Sequence, residues 1–145
     1  MNKQALDTSE MMALVEDTIK NNQEAIFRVQ GTSMEPFLKH DLTNVTLSQF
    51  TKLSKGDIIL FRYNKEFKLH RIIKIKDEQI VARGDNSYQK ELINLSDVIG
   101  VVVSYETNQK VIYPKSFNVS ILLFLWRVIK PFKMLLRSFY GLFRK

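Results

Sequence analysis

Between residues 25 and 113, the chain alternates short runs of β-branched and aromatic residues with tight turn signals. The runs have the length and composition of strands, and they occupy residues 25–30, 42–47, 57–63, 67–76, 79–83, 98–105 and 110–113. Gly31, Gly56 and Gly84 lie between runs, and no segment of helical periodicity separates one run from the next. This arrangement predicts a mostly antiparallel β-domain.

A short amphipathic helix is expected before the first strand. Apolar residues recur at helical spacing over 9–22, and Ser9 and Glu10 suit a cap and a first turn. No basic start followed by a long apolar run is present, so we expect neither a secretory signal nor an N-terminal membrane anchor. The predicted mainly β chain is therefore divided into an N-terminal helix (1–24), a β-rich domain (25–114) and a basic amphipathic tail (115–145).

The composition excludes several chemistries. A chain of 145 residues can bury one core, which favours a single folded domain. Because it contains no cysteine, disulfide scaffolds, thiol nucleophiles and cysteine-ligated metals are excluded. Its two histidines and scattered carboxylates show no metal-ligand spacing. We therefore expect no metal and no cofactor.

The positive charge of the chain is confined to its tail. The net charge is +7, yet all 15 acidic residues precede Thr107, which leaves residues 1–106 close to neutral. Residues 107–145 have no acid and contain the basic residues Lys110, Lys115, Arg127, Lys130, Lys133, Arg137, Arg144 and Lys145. Because the same segment is rich in leucine and phenylalanine, an anionic bilayer fits it better than a nucleic acid does.

The tail has the pattern of an interfacial helix. Its apolar run over 117–126 ends at Arg127 and is shorter than the ~20 residues that a membrane-spanning helix needs. From Arg127 onward, basic residues fall on one side of a helical wheel and apolar residues on the other, with a kink expected at Pro131. We predict that residues 117–145 bind an anionic membrane surface, with the cytoplasmic face favoured. A tilted span and a helix covering the domain's own apolar surface are the alternatives.

Three polar segments could hold catalytic residues. Residues 31–36 read Gly-Thr-Ser-Met-Glu-Pro and place Ser33 in a turn after the first strand, where a lone serine is usually only turn chemistry. His70 lies in a strand, on the face that it shares with Lys68 and Lys74 by the two-residue period. Asp85 follows another strand in a polar turn.

Together these segments resemble the type I signal peptidase family, which is S24/S26-like. They are most similar to the branch of archaea, the endoplasmic reticulum and some Gram-positive bacteria, in which histidine replaces the catalytic lysine. The resemblance covers about residues 25–105, and the boxes that match are 31–36, 55–59, 69–72 and 84–86. It implies the signal-peptidase and repressor-peptidase type of antiparallel β fold.

The resemblance also implies roles for individual residues. Ser33 corresponds to the nucleophile and His70 to the general base, and Asp85 to the acid that orients it, while a second acid would fall near Glu91. A serine hydroxyl needs such a base at neutral pH, and an imidazole, with an ordinary pKa of ~6.5, can serve. The Ser33 backbone N–H is a candidate oxyanion donor. Met34 is expected to pack at the substrate site, although a plain core methionine is an equal interpretation.

Other residues leave alternatives open. Lys65 and Lys68 keep a Ser-Lys mechanism in view, although neither occupies the family's lysine position. His40 stands where the family has glycine, so we expect it to adopt an unusual backbone angle rather than to act as a base.

The resulting prediction is a membrane-associated serine endopeptidase. By resemblance, its substrates are leader or signal peptides bound in an extended conformation, with small residues before the cleaved bond. An inactive peptide-binding module of the same fold is the alternative, and the distance from Ser33 Oγ to the nearest His70 ring nitrogen discriminates between the two. A nucleic-acid-binding repressor fragment is disfavoured because no helix-turn-helix pattern is present.

Overall fold

The computed structural model describes residues 8–143, and the chain forms two compact units, Met1–Pro114 and Lys115–Lys145. The elements of the first unit are α1 (Thr8–Lys20), β1 (Ala25–Arg28), β2 (Asn44–Ser48), β3 (Ile58–Tyr63), β4 (Glu66–Lys76), β5 (Gln79–Arg83), β6 (Lys90–Asn94), a 3₁₀ turn (Leu95–Asp97), β7 (Val98–Thr107) and β8 (Lys110–Ile112). The second unit contains the helix α2 (Phe117–Leu142).

The strands form one antiparallel sheet in the order β1-β2-β7-β3-β4-β5-β6, and β8 pairs with β7. Register shifts occur between Thr46 and Leu47, between Leu60 and Phe61, and between Ile72 and Lys74. Irregularities of this kind bend a strand and increase its twist, which lets the sheet curl. The predicted mainly β fold with a short N-terminal helix and a helical tail is confirmed.

Apolar residues are buried on both faces of the sheet, in two clusters. Helix α1 contributes Met12, Val15 and Ile19 to the larger cluster, where they pack with side chains from β1, β2 and β7. The smaller cluster contains side chains from β3 to β6: Ile59, Phe61, Ile72, Ile80, Ala82 and Ile93. Strand β4 lies centrally in the sheet, so residues on both of its faces are shielded from water.

An ion pair also connects helix α1 to the sheet. Glu16 forms ion pairs with Arg62 of β3 and with Lys20. Burial opposes ionisation of the Glu16 carboxyl, but the hydrogen bonds and charges of Arg62 and Lys20 outweigh it and lower its pKa below 4.5.

Strand β6 was not among the predicted strands. In its sequence Lys-Glu-Leu-Ile-Asn, the buried positions are Glu91 and Ile93, whereas Leu92 is exposed. A polar residue inside and an apolar residue outside break the alternation by which a half-buried strand is normally recognised. The element that holds Glu91 was therefore missed.

The unusual backbone angle that was expected at His40 occurs at the next residue, Asp41. Asp41, and not His40, adopts the left-handed conformation, with φ of 60°. The Asp41 N–H donates a hydrogen bond of 2.9 Å to the carbonyl of Val29. The turn therefore closes through Asp41, and the prediction for His40 is wrong.

The tail forms one helix from Phe117 to Leu142, with Pro131 inside it. The apolar run and the basic stretch thus belong to a single element. Arg144 and Lys145 lie outside the described residues. Within residues 8–143, neither helix combines the length and the unbroken apolarity needed to cross a membrane.

Candidate active site

Ser33 lies in the loop that follows β1, in a turn that needs glycine at its start. Gly31 has φ of +91°, a conformation that side-chain-bearing residues rarely adopt. Its N–H donates to His40 Nδ1 over 2.8 Å. After Ser33 the chain makes a helical turn, in which the Leu38 N–H donates to the carbonyl of Met34 over 2.9 Å. His40 thus supports the loop and does not contact the serine hydroxyl.

The hydroxyl of Ser33 is hydrogen bonded to the imidazole of His70. Ser33 Oγ lies 3.0 Å from His70 Nε2, across 37 positions of sequence. Strand β4 positions the imidazole, since His70 pairs with Ile59 of β3. The His70 residue is only 6% exposed, and its ring packs edge-on against Phe61 at 6.0 Å between centroids. The serine and the histidine thus have the separation of a nucleophile and its base.

Glu91 holds the other side of the imidazole. His70 Nδ1 lies 2.9 Å from Glu91 Oε2, and Glu91 is 1% exposed. Glu91 on β6 pairs with Ala82 of β5, which in turn pairs with Ile72 of β4. Because Ala82 carries only a methyl group, the longer glutamate side chain can cross it and reach His70, two residues before Ile72 and on the same face.

This contact defines the tautomer of His70. An ionised carboxylate only accepts hydrogen bonds, so Nδ1 carries the proton that is donated to Glu91. Nε2 is then the unprotonated nitrogen and accepts a hydrogen bond from the Ser33 hydroxyl. The three side chains form a continuous hydrogen-bonded chain that runs from the buried carboxylate to the serine oxygen.

Lys68 contacts the remaining oxygen of Glu91. Its Nζ lies 3.3 Å from Glu91 Oε1 and 5.0 Å from the centre of the Tyr63 ring. The buried carboxylate is thus compensated by a cation as well as by the imidazole. Lys68 thus pairs with the Glu91 carboxylate, whereas the Ser33 hydroxyl is hydrogen bonded to His70. This arrangement does not favour a Ser-Lys mechanism. Lys65 lies in the turn between β3 and β4.

Asp85 has a different partner from the one expected. Its carboxylate accepts hydrogen bonds of 2.9 Å from both Arg71 Nε and Arg71 Nη2. Arg71 Nη1 also donates to the carbonyl of Gly56 over 3.0 Å. The geometry therefore corrects the predicted contact: Glu91 holds the imidazole, whereas Asp85 fixes its loop to β4. The reason is alternation, since Arg71 and His70 are consecutive on a strand and their side chains point to opposite faces.

The loop after β5 approaches Ser33 closely, at a glycine. A Cβ placed on Gly84 would lie 2.5 Å from the Ser33 carbonyl oxygen and 3.2 Å from His70 Nε2. The next turn continues the contact, because the Asn86 N–H donates to the same carbonyl over 2.8 Å. Gly84 and Asn86 thus set the position of the Ser33 backbone. Sequence reasoning matched this box to the family but did not identify the contact.

Two further groups at Ser33 bear on substrate binding. Within the part of the chain that the structure describes, the Ser33 N–H donates no hydrogen bond to protein, as an oxyanion donor requires. Met34 is 2% exposed and packs in the larger core cluster, with its sulfur 3.5 Å from the Asp85 nitrogen. Met34 also lines the cleft at Ser33, so its predicted role in binding substrate stays a prediction.

Tyr105 lies in the electrostatic field of the Arg71–Asp85 pair. Burial raises the pKa of its phenol, the charge of Arg71 opposes this shift, and the charge of Asp85 adds to it. Tyr105 is 2% exposed and therefore remains a neutral part of the core at physiological pH.

A cleft of about 290 Å³ opens at the hydrogen-bonded serine and histidine. Ser33, His70 and Glu91 line it together with Phe67 and Leu69. A larger cavity, of about 430 Å³, lies beside α1 and contains the Glu16–Arg62 ion pair. The residues that line it include no histidine, so the smaller cleft is the candidate active site. Among residues 8–143, no cluster of histidines and carboxylates could hold a metal ion.

Comparison with known proteins assigns the chain to a family. Residues 2–103 match the model of the family described as Peptidase S24-like, and the match covers Ser33, His70 and Glu91. No curated protein matches the sequence significantly.

Proposed function

Because this chain belongs to the Peptidase S24-like family, and its cleft holds a serine bonded to a histidine, we propose that it is a serine endopeptidase. Ser33 is the nucleophile, His70 the general base, and Glu91 the acid that orients the imidazole. The observation that carries this proposal is the unbroken chain from Ser33 Oγ through His70 to the Glu91 carboxylate, with contacts of 3.0 and 2.9 Å.

The proposed reaction is acyl transfer in two halves. Ser33 Oγ attacks the carbonyl carbon of the scissile peptide bond while His70 Nε2 takes the hydroxyl proton. The imidazolium is stabilised by Glu91 and then gives its proton to the leaving amine as the C–N bond breaks. In the second half, His70 deprotonates a water that attacks the ester on Ser33. The acid product leaves, and the proton returns to Ser33 Oγ.

The negative charge of the tetrahedral intermediate needs hydrogen-bond donors. The Ser33 N–H is suited to this role because no protein group within the described residues accepts its hydrogen bond. The turn at Gly31 and the bond from Asn86 to the Ser33 carbonyl hold that peptide group in place. Preorganised backbone donors of this kind cost no rearrangement during the reaction.

The substrates we propose are leader or signal peptides, cleaved after small residues, as in the signal peptidases that the motifs of this chain resemble. The small cleft supports this choice, since about 290 Å³ accommodates short side chains beside an extended peptide. Phe67 and Leu69 supply an apolar side to the cleft.

An inactive peptide-binding module of the same fold is the alternative function. In an inactive module, Ser33 would need no base beside it, and the buried His70 would serve only packing. The separation of 3.0 Å between Ser33 Oγ and His70 Nε2, with the carboxylate behind it, favours the enzyme.

The test is cleavage of synthetic precursors that contain signal peptides, with products located by mass spectrometry. We expect one internal cleavage by the wild-type chain, and a loss of at least about a thousandfold in Ser33→Ala and in His70→Ala. Thr51→Ala, in an exposed loop, is the matched control and should retain activity. Binding of precursors without cleavage, or turnover by a folded Ser33→Ala chain, would exclude the serine mechanism.

A further inference from the structure

Helix α2 exposes large apolar side chains along most of its length. At about 100° per residue they fall on one side of the helix, which we call the apolar face. Its largest exposed members include Phe117, Phe124, Phe132, Leu135, Phe139 and Tyr140. Exposed apolar surface that is continuous over many residues indicates an interaction site.

The opposite side of α2, the basic face, carries positive charge only. Its charged residues are Arg127, Lys130, Lys133 and Arg137, and no acidic residue lies anywhere after Glu106. The partner of α2 should therefore offer negative charge and an apolar interior along the same surface.

We propose that α2 lies in the plane of an anionic phospholipid bilayer interface. Its apolar face enters the boundary between headgroups and acyl chains, while its basic face pairs with anionic headgroups. A nucleic acid would satisfy the charges but offers no apolar layer for the phenylalanines. A second copy of α2 would bury the apolar face but would bring two acid-free basic helices together, and their charges repel.

A flat orientation follows from the position of the charges. Arg127, Lys130 and Lys133 lie near the middle of the helix, so a spanning orientation would place them in the hydrocarbon core, which is costly. In the interface plane, Arg127 and Lys133 meet the headgroups, whereas Lys130 is buried.

The first experiment measures binding of the full chain to two kinds of vesicle. One kind contains phosphatidylcholine and phosphatidylglycerol in equal amounts, and the other contains phosphatidylcholine alone. We expect strong sedimentation with the anionic vesicles, weakened by added salt, and much weaker binding to the neutral ones. Equal binding to both kinds would overturn the charge pairing, and binding to neither would overturn the proposal.

Substitutions test separately what the basic face and the apolar face of α2 contribute to vesicle binding. The triple variant Arg127→Gln, Lys133→Gln, Arg137→Gln should bind anionic vesicles about a hundredfold more weakly. The matched control, Lys52→Gln, Lys55→Gln, Lys76→Gln, removes the same charge from exposed positions of the β-domain and should bind within about threefold of wild type. Equal losses in the two triple variants would overturn the role of the basic face.

The apolar face is tested by Phe132→Ser combined with Phe139→Ser, which we expect to weaken binding about a hundredfold. Circular dichroism in the presence of vesicles checks that the helix persists. If these substitutions instead dissociate an oligomer of the wild-type chain and leave vesicle binding unchanged, a second copy covers the apolar face and the proposal fails.

Trp126 reports the depth of the helix, because it is the only tryptophan of the chain. It lies on the basic side, with Lys133 Nζ 5.3 Å from its ring centre. Lipids brominated near the headgroup should therefore quench its fluorescence more than lipids brominated near the chain end. Stronger quenching from the chain end would show a spanning helix and overturn the flat orientation. Each measurement is repeated with Ser33→Ala, so failure of lipid binding is distinguishable from failure of the proposed peptidase.

Discussion

Strand β4 carries two consecutive buried residues, His70 and Arg71, and each binds a carboxylate. The two resulting clusters differ in whether their hydrogen bonds continue to the cleft. Arg71 and Asp85 form a bidentate pair, in which both carboxylate oxygens accept hydrogen bonds from one guanidinium. His70 and Glu91 form an open chain that continues to the hydroxyl of Ser33, at the cleft. The bidentate pair fixes the Asp85 loop to β4, whereas the open chain connects the Ser33 hydroxyl to a carboxylate through an imidazole, which can carry a proton.

The comparison shows that burial does not by itself identify a catalytic carboxylate. Asp85 is 9% exposed and Glu91 is 1% exposed, so both are shielded from water. What differs is the partner, since arginine stays charged at every physiological pH and histidine can gain or lose its proton. The carboxylate beside the exchangeable proton is the candidate for catalysis.

The largest expected difference comes from removing the charge of each carboxylate in turn. Glu91→Gln should lower kcat by at least about a thousandfold, because the imidazole loses the anion that stabilises its protonated form. Asp85→Asn should mainly lower the free energy of unfolding, by about 3 kcal/mol, because it leaves Arg71 buried without its counter-charge. Peptide cleavage and urea unfolding of both variants check this.

The reverse outcome would exchange the two roles. If Asp85→Asn abolishes cleavage in a fully folded chain while Glu91→Gln retains activity, the residue that the motif resemblance predicted is the functional acid.

A smaller effect is expected from Gly84→Ala, which changes no catalytic group. The added Cβ would lie 2.5 Å from the Ser33 carbonyl oxygen, so the Ser33 loop must move away. A displacement of ~1 Å at reacting atoms can cost about a hundredfold in rate. We expect that loss in kcat, measured with a short peptide. Gly141→Ala in α2 is the control, because a Cβ there meets open space. Full activity of Gly84→Ala would mean that the loop is not positioned through this contact.

The smallest effect concerns Glu16, a carboxylate paired with cations outside both clusters. Its folded pKa is lowered below 4.5, so its ionisation stabilises the fold above that pH, and this contribution is lost as pH falls through the folded pKa. Exposed ion pairs contribute at most about 1 kcal/mol. The free energy of unfolding of Glu16→Gln should therefore differ from wild type above pH 4.5 and converge with it in acid. A constant difference across that range would contradict this assignment.

The sequence was sufficient to predict most of the sheet, because β2 to β5 and β7 have β-branched residues at buried positions, and β1 and β8 are short runs that contain β-branched or aromatic residues. Strand β6 was missed because its inward residues are Glu91 and Ile93 while Leu92 faces outward. The element boundaries differ from the predicted ones by a residue or two at several ends, where local propensity does not determine the last hydrogen bond.

The site was predictable in part. The motif positions selected Ser33 and His70, and the fold brings their side chains within 3.0 Å. Choosing between Asp85 and Glu91 required the register of β5 with β6 and the small size of Ala82, and neither is visible from spacing along the chain. The pairing of Asp85 with Arg71 likewise depends on how the loop after β5 approaches β4, which spacing along the chain does not give.

The most direct test of the central claim is covalent labelling of Ser33 by a fluorophosphonate, followed by peptide mass spectrometry. In this reaction the serine oxygen displaces fluoride from phosphorus, and the proton passes to His70. We predict one phosphonyl group per chain, on Ser33, at a rate that falls at least about a thousandfold in His70→Ala and is unchanged in Thr51→Ala. A Ser33 that stays unlabelled, or one labelled equally fast without His70, would contradict the proposed activation of the serine.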